Sequence, residues 1–148
     1  MNIRISGGQF KGFKFNNPKS SDLRPTMESV RLAIFSILDS KFDGITNETV
    51  FLDLYSGTGI MGTEALSRGA DKAIFIEKNR SYCYKIKENL KKLNLLNRAE
   101  ILPGSVFANL SKIACKKLFF PSSSKILATF RYSFIITLIG VSCLNANS

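Results

Sequence analysis

The chain has 148 residues, enough for one domain, and its 45% hydrophobic and 22% charged residues are those of a chain that buries a core. Twenty-one Lys+Arg against eleven Asp+Glu leave a net charge of +10, which points to a polyanionic partner such as nucleic acid, because each neutralised phosphate releases counterions. With no histidine anywhere, Ser-His-Asp triads, Cys-His dyads and His-ligated metals are excluded. Cys83, Cys115 and Cys143 form no C-x-x-C pair, so neither a metal site nor a disulfide scaffold is expected. Reduced thiols and an N-terminus without a long apolar run are expected of a cytoplasmic protein.

At the N-terminus, Ile3 and Ile5 alternate with Arg4, Gly7-Gly8 punctuates, and Phe10 to Phe15 carries Lys11 and Lys14. That pattern predicts a basic β-hairpin over residues 1–24, with its loop running through Asn16 to Leu23. Thr26 is the expected N-cap of a helix, with Glu28 in its first turn. Val30, Ala33, Ile34, Ile37 and Leu38 then fall on one helical face. Arg4, Lys11, Lys14, Lys19, Arg24 and Arg31 outnumber Asp22 and Glu28, a net +4 over residues 1–31. This arm is the expected nucleic-acid-facing surface.

From Thr49 the pattern becomes strand, helix, strand, helix, strand. Thr49–Leu54 is a short apolar strand interrupted by Asp53, and Tyr55–Gly59 is a turn. Ile60–Ser67 is a helix closed by Gly69, and Ala73–Ile76 is a second strand ending at Glu77. Cys83, Ile86, Leu90 and Leu93 mark the inner face of the next helix, followed by a third strand at Glu100–Leu102 and a helix over Val106–Ile113. Such alternation predicts an α/β fold with a parallel, doubly wound sheet spanning about residues 25–114.

In these sheets ligands bind beyond the carboxyl ends of the strands, where Asp53, the glycine turn and Glu77 fall. Gly57, Gly59 and Gly62 satisfy G-x-G-x-x-G, which brings an NAD-type site into consideration. Asp53 weighs against it, since a carboxylate beside a pyrophosphate is repulsive. S-adenosylmethionine carries an ammonium and a sulfonium and no phosphate, so an acidic residue next to bare glycine backbone suits it. Glu77 suits the ribose hydroxyls of either ligand.

Residues 115–148 differ in character. No Asp or Glu follows Glu100, and Ser122-Ser123-Ser124 precedes an apolar run. Residues 126–144 are weighed as a membrane segment, but Tyr132–Leu144 is only thirteen uncharged residues, short of the roughly 20 that span a bilayer. A buried strand pair is one alternative, and a frameshifted tail from about Cys115 is the reading preferred from sequence.

Several segments together resemble the RsmD-type 16S ribosomal RNA guanine-N2 methyltransferases. They are Ile3-Arg4-Ile5-Ser6-Gly7-Gly8, Leu23-Arg24-Pro25-Thr26 with Val30-Arg31 and Phe35, and Asp53-Leu54-Tyr55-Ser56-Gly57-Thr58-Gly59. Gly62 with Glu64-Ala65-Leu66-Ser67-Arg68-Gly69-Ala70, and Glu77 leading into Asn89-Leu90, complete the set. The resemblance covers residues 2 to about 110. It implies a Rossmann-like methyltransferase acting on a guanine 2-amino group, with ribosomal RNA or a small-subunit assembly particle as partner. It further implies that Asp53, Tyr55, Ser56, Gly57, Thr58 and Gly59 line the methionine half of S-adenosylmethionine and Glu77 its ribose. Ser105 stands where the family has an Asp near the adenine amino group. Arg24, Pro25 and Thr26 would close over the site, and Arg4, Lys11, Lys14 and Arg31 would face rRNA.

The family's Asp-Pro-Pro-aromatic motif at the end of the fourth strand is missing. Pro18, Pro25, Pro103 and Pro121 are all isolated, and Phe119-Phe120-Pro121-Ser122 fills the expected position. A sheet incomplete toward its C-terminus follows as an expectation, and so does a non-enzymatic RNA- or cofactor-binding remnant as the alternative function.

Overall fold

The computed structural model describes residues 3–15, 27–41, 43–116, 125–130 and 137–140. Its elements are α1 (Glu28–Lys41), β1 (Thr49–Leu54), α2 (Ile60–Ser67), β2 (Lys72–Glu77), α3 (Arg80–Lys92), β3 (Ala99–Pro103), α4 (Val106–Lys116), β4 (Lys125–Phe130) and β5 (Thr137–Gly140). The strands form one sheet in the order β3-β2-β1-β4-β5. The first four are mutually parallel, and β5 runs antiparallel on β4.

Central strands of a parallel sheet are covered on both faces, which is why β1 reads as a nearly continuous apolar run and is buried at every residue. Phe51, Phe75 and Leu127 point to one face, where they meet Phe35 and Leu38 of α1, Leu66 of α2 and Ile86 and Leu90 of α3. Val50, Leu52, Ile74, Ile76 and Ala128 point to the other, where Val106 of α4 packs. The parallel core read from sequence is therefore present, with each strand within a residue or two of its expected limits.

One expectation needs correction. The buried stripe of α1 is Arg31, Phe35 and Leu38, while Ile37 is 47% exposed and Ala33 also faces solvent. An apolar count misplaces the stripe because its inward face includes an arginine neutralised by a buried carboxylate. Beyond β3 the sheet continues with a fourth parallel strand: Lys125–Phe130 pairs along the whole of β1, from Thr49↔Lys125 to Leu54↔Phe130. A strand pair therefore occupies part of this stretch, its run of apolar residues Ile126–Ala128 serving both faces of the sheet and covering the open edge of β1. Among the described residues no helix is long and apolar enough to cross a membrane.

The N-terminal segment is a hairpin-like loop with a single antiparallel bridge, Arg4↔Lys14. Ile3, Ile5 and Phe15 are buried against the α1–α2 side of the sheet. The loop tip is tied to the C-terminal end of α2: Gln9 N–H donates to Ser67 O at 2.8 Å, and Ser67 Oγ donates to Gly7 O at 2.7 Å.

Candidate functional site

Asp53 and Glu77 lie at the carboxyl ends of adjacent strands β1 and β2, with the Tyr55–Gly59 turn between them. The turn is tight and partly left-handed, with φ of 59° at Tyr55, 54° at Gly57 and 74° at Gly59. A tyrosine in this region carries a cost of order 1–3 kcal/mol, the kind of strain that gathers at binding sites. Gly59 also has no room for a side chain, since a Cβ there would lie 2.7 Å from Ile86 of α3. Ser56 stays inside the turn, its hydroxyl donating to Asp53 O at 2.7 Å. Thr58 is buried beside it, and Tyr55 is 42% exposed at the rim.

Helix α2 starts at this turn without a side-chain cap on Gly59. Asp53 supplies the anion instead: its Oδ2 accepts from Gly62 N–H at 3.0 Å. Gly62 is required for a second reason, because a Cβ there would overlap the Phe75 ring. Burial pushes the Asp53 carboxyl up to about 7, with the charge of Glu77 adding to the rise and the Gly62 hydrogen bond opposing it. Near neutral pH the ionised form of this carboxyl is therefore poorly stabilised.

Glu77 is clamped at both oxygens. Gly57 N–H donates to Oε2 at 2.7 Å and Asn79 N–H to Oε1 at 2.8 Å. Two acceptor positions are used out of roughly four on a carboxylate, so hydroxyl donors can still be accepted. Asn79 also caps α3, its side chain accepting from Ser81 N–H at 2.9 Å. The Asn-x-Ser spacing after a strand is the signal that identifies this cap. Cys83 Sγ donates to Glu77 O, and burial followed by the Glu77 charge pushes that thiol up.

Ser105 is exposed at the head of α4, where its hydroxyl accepts from Ala108 N–H at 3.2 Å. That is an N-cap, sufficient to account for a serine there. Thr129, absent from the sequence reading, is the residue of β4 paired with Asp53, and its buried hydroxyl has no hydrogen-bond partner. The fourth strand ends at Phe130, not near Phe119–Ser122 as expected, and the text at its end is Ala128-Thr129-Phe130-Arg131-Tyr132. The register on β1 decides the point, and no Asp-Pro-Pro stands there.

The basic arm is separate from these carboxylates. Arg4, Lys11 and Lys14 are exposed, but their loop is fastened to the far end of α2, about 12 Å from the glycine turn at 1.5 Å per residue. Arg31 is corrected outright. It is 2% exposed, its Nε donates to Glu64 Oε2 at 3.1 Å, and its Nη2 donates to Arg4 O at 2.7 Å. Glu64, fully buried, also accepts from Ser6 and Arg68. The group fastens the N-terminal loop to α1 and α2 and leaves Arg31 no surface to offer RNA. Arg24, Pro25 and Thr26 lie outside the described residues.

Residues 3–120 match the protein family described as Conserved hypothetical protein 95. The chain is 39% identical over 95 residues to Ribosomal RNA small subunit methyltransferase D of Escherichia coli (strain K12), covering 64% of this chain and 46% of that protein. A solved hypothetical protein from Thermus thermophilus superimposes with a TM-score of 0.66 at 28% identity, over 78% of this chain and 63% of that one. An RNA methyltransferase from Salinibacter ruber, solved with S-adenosyl-L-homocysteine, shares the fold with a TM-score of 0.50 at 18% identity, over 71% of this chain and 76% of that one. The chain spans about half the length of the curated relatives it matches.

Proposed function

The chain belongs to the Conserved hypothetical protein 95 family, and from that premise we propose that it binds S-adenosylmethionine at the carboxyl ends of β1 and β2. It would do so as the cofactor-holding part of an enzyme that methylates a guanine 2-amino group in small-subunit rRNA. The observation that carries this reading is Asp53. Its carboxylate already occupies the N-terminus of α2, the place a pyrophosphate would take, and its charge is poorly stabilised near neutral pH. A ligand bringing an ammonium and a sulfonium would relieve that cost, whereas a dinucleotide would add to it. The NAD reading is correspondingly disfavoured.

Glu77, pre-oriented by Gly57 and Asn79, would accept the ribose hydroxyls. Tyr55, Ser56, Thr58 and the bare backbone of Gly57 and Gly59 would line the methionine side, and Ser105 would stand near the adenine. When bound, the cofactor supplies an electrophilic methyl group. Methylating a guanine amine also needs an acceptor for its hydrogens, because the lone pair is delocalised into the ring. In this chain β4 ends in Thr129 and Phe130, and the sequence holds no carboxylate after Glu100. The residues present thus support binding and positioning of the cofactor without the methyl-transfer step.

Equilibrium dialysis with labelled S-adenosylmethionine tests the site. Saturable binding is expected, weakened about tenfold or more by Glu77→Ala and Asp53→Ala, with no displacement by NADH. A folded chain that takes up NADH in preference to S-adenosylmethionine would overturn the proposal.

A further inference from the structure

Helix α3 carries a second basic surface that neither the cofactor site nor the N-terminal arm uses. Arg80, Tyr84, Lys87 and Lys91 recur at i, i+4, i+7 and i+11 and so line one flank of the helix. All four are exposed, Tyr84 at 61%. Cys83, Ile86 and Leu90 take the inward side. Glu88, the one carboxylate of the helix, is engaged by Lys85 at 2.7 Å. Among the described residues Arg80, Lys87 and Lys91 make no ion pair, so the flank presents three positive charges and the Tyr84 ring, over one face of which Lys85 Nζ lies 5.7 Å from the centroid.

Helix stability does not explain this composition. Lysines in the last turn complement the helix dipole, but Arg80 is in the first turn, where a cation opposes it. Tyr84 fills no core position. The stripe runs about 16 Å at 1.5 Å per residue, starting beside Asn79, the residue whose N–H holds Glu77. We propose that this flank is a track for single-stranded RNA, with phosphates on Arg80, Lys87 and Lys91 and a base stacked on Tyr84. Charge complementarity selects a polyanion, and the exposed ring between the cations selects one that carries planar bases over an acidic polypeptide. The inference goes beyond the cofactor reading and does not depend on it.

Fluorescence anisotropy of the full chain with a labelled single-stranded RNA of about 12 nucleotides tests the track. Lys87→Glu/Lys91→Glu is expected to weaken binding about tenfold at low salt and to reduce the slope of log affinity against log salt by about 1.4, for two phosphates lost. Tyr84→Ala should weaken it about tenfold and Tyr84→Phe should restore it. The pair Lys92→Glu/Lys112→Glu makes the same change in net charge on exposed residues off the stripe and should weaken it far less. S-adenosylmethionine binding should be unchanged in every variant, which separates this test from that of the cofactor site. Equal losses from both charge pairs would overturn the proposal. So would displacement of the RNA by polyglutamate together with indifference to Tyr84→Ala.

Discussion

Asp53 serves the fold directly, and under the proposed function the same carboxylate selects the ligand. Its carboxylate caps α2 through Gly62 N–H, yet burial and the nearby Glu77 charge raise it from 3.8 to about 7. A raised folded value means that the fold favours the protonated form, so the resulting stabilisation is full below about 4 and is lost as pH rises through about 7. At about 1.4 kcal/mol per unit the window is worth at most roughly 4 kcal/mol. Denaturant melts of the ligand-free chain should show stability declining between about pH 4 and 7 relative to Asp53→Asn, which keeps an acceptor for Gly62 but cannot ionise. Parallel profiles for the two proteins would contradict this account of the residue. Conversely, S-adenosylmethionine affinity should rise with pH over the same window, since the cationic ligand stabilises the ionised form. The placement of Asp53 and Glu77 at the strand ends was legible in the sequence, because each is the one carboxylate within an otherwise mostly apolar strand. Thr129 was not, since its place beside Asp53 exists only through the β1–β4 register.

Among the elements, one buried carboxylate fastens the N-terminal loop to α1 and α2, beside the Ser67 hydrogen bonds and the packing of Ile3, Ile5 and Phe15. Glu64 lies inside α2 with Arg31 of α1 at 3.1 Å and Arg68 at 3.0 Å, while Arg68 stacks 4.4 Å above the Phe35 ring. Removing the shared partner of a buried cation leaves an uncompensated charge, a loss of about 3–5 kcal/mol. Glu64→Ala should therefore lower the unfolding free energy measured in urea by that amount and expose the Ser6–Phe10 loop to proteolysis. A loss below about 1 kcal/mol would show that the cluster is not what holds the loop. The strands and helices of the core were readable from periodicity and turn residues alone, as β1, β2 and α3 illustrate. The inward face of α1 was not, because Arg31 counts as a surface residue until Glu64 is placed opposite it.

For the whole molecule, the separation of parts matters more than any single contact. Asp53 and Glu77 lie toward one end of α2, the basic N-terminal loop at the other, and the α3 stripe begins beside Asn79. RNA engaging both basic surfaces would have to pass along the molecule rather than dock at a point. The sheet carries a fourth parallel strand and an antiparallel fifth, and the sequence holds no Asp-Pro-Pro motif for the fourth strand's end. Composition signalled this early, through the lack of any acidic residue after Glu100, although it could not place β4. The most direct test loads the chain with S-adenosylmethionine labelled in its methyl group, adds small-subunit rRNA, and counts label in protein-bound cofactor and in RNA. Label held by the protein and none in RNA guanine is the predicted result. Label transferred to guanine, or none retained by a folded chain, would contradict it.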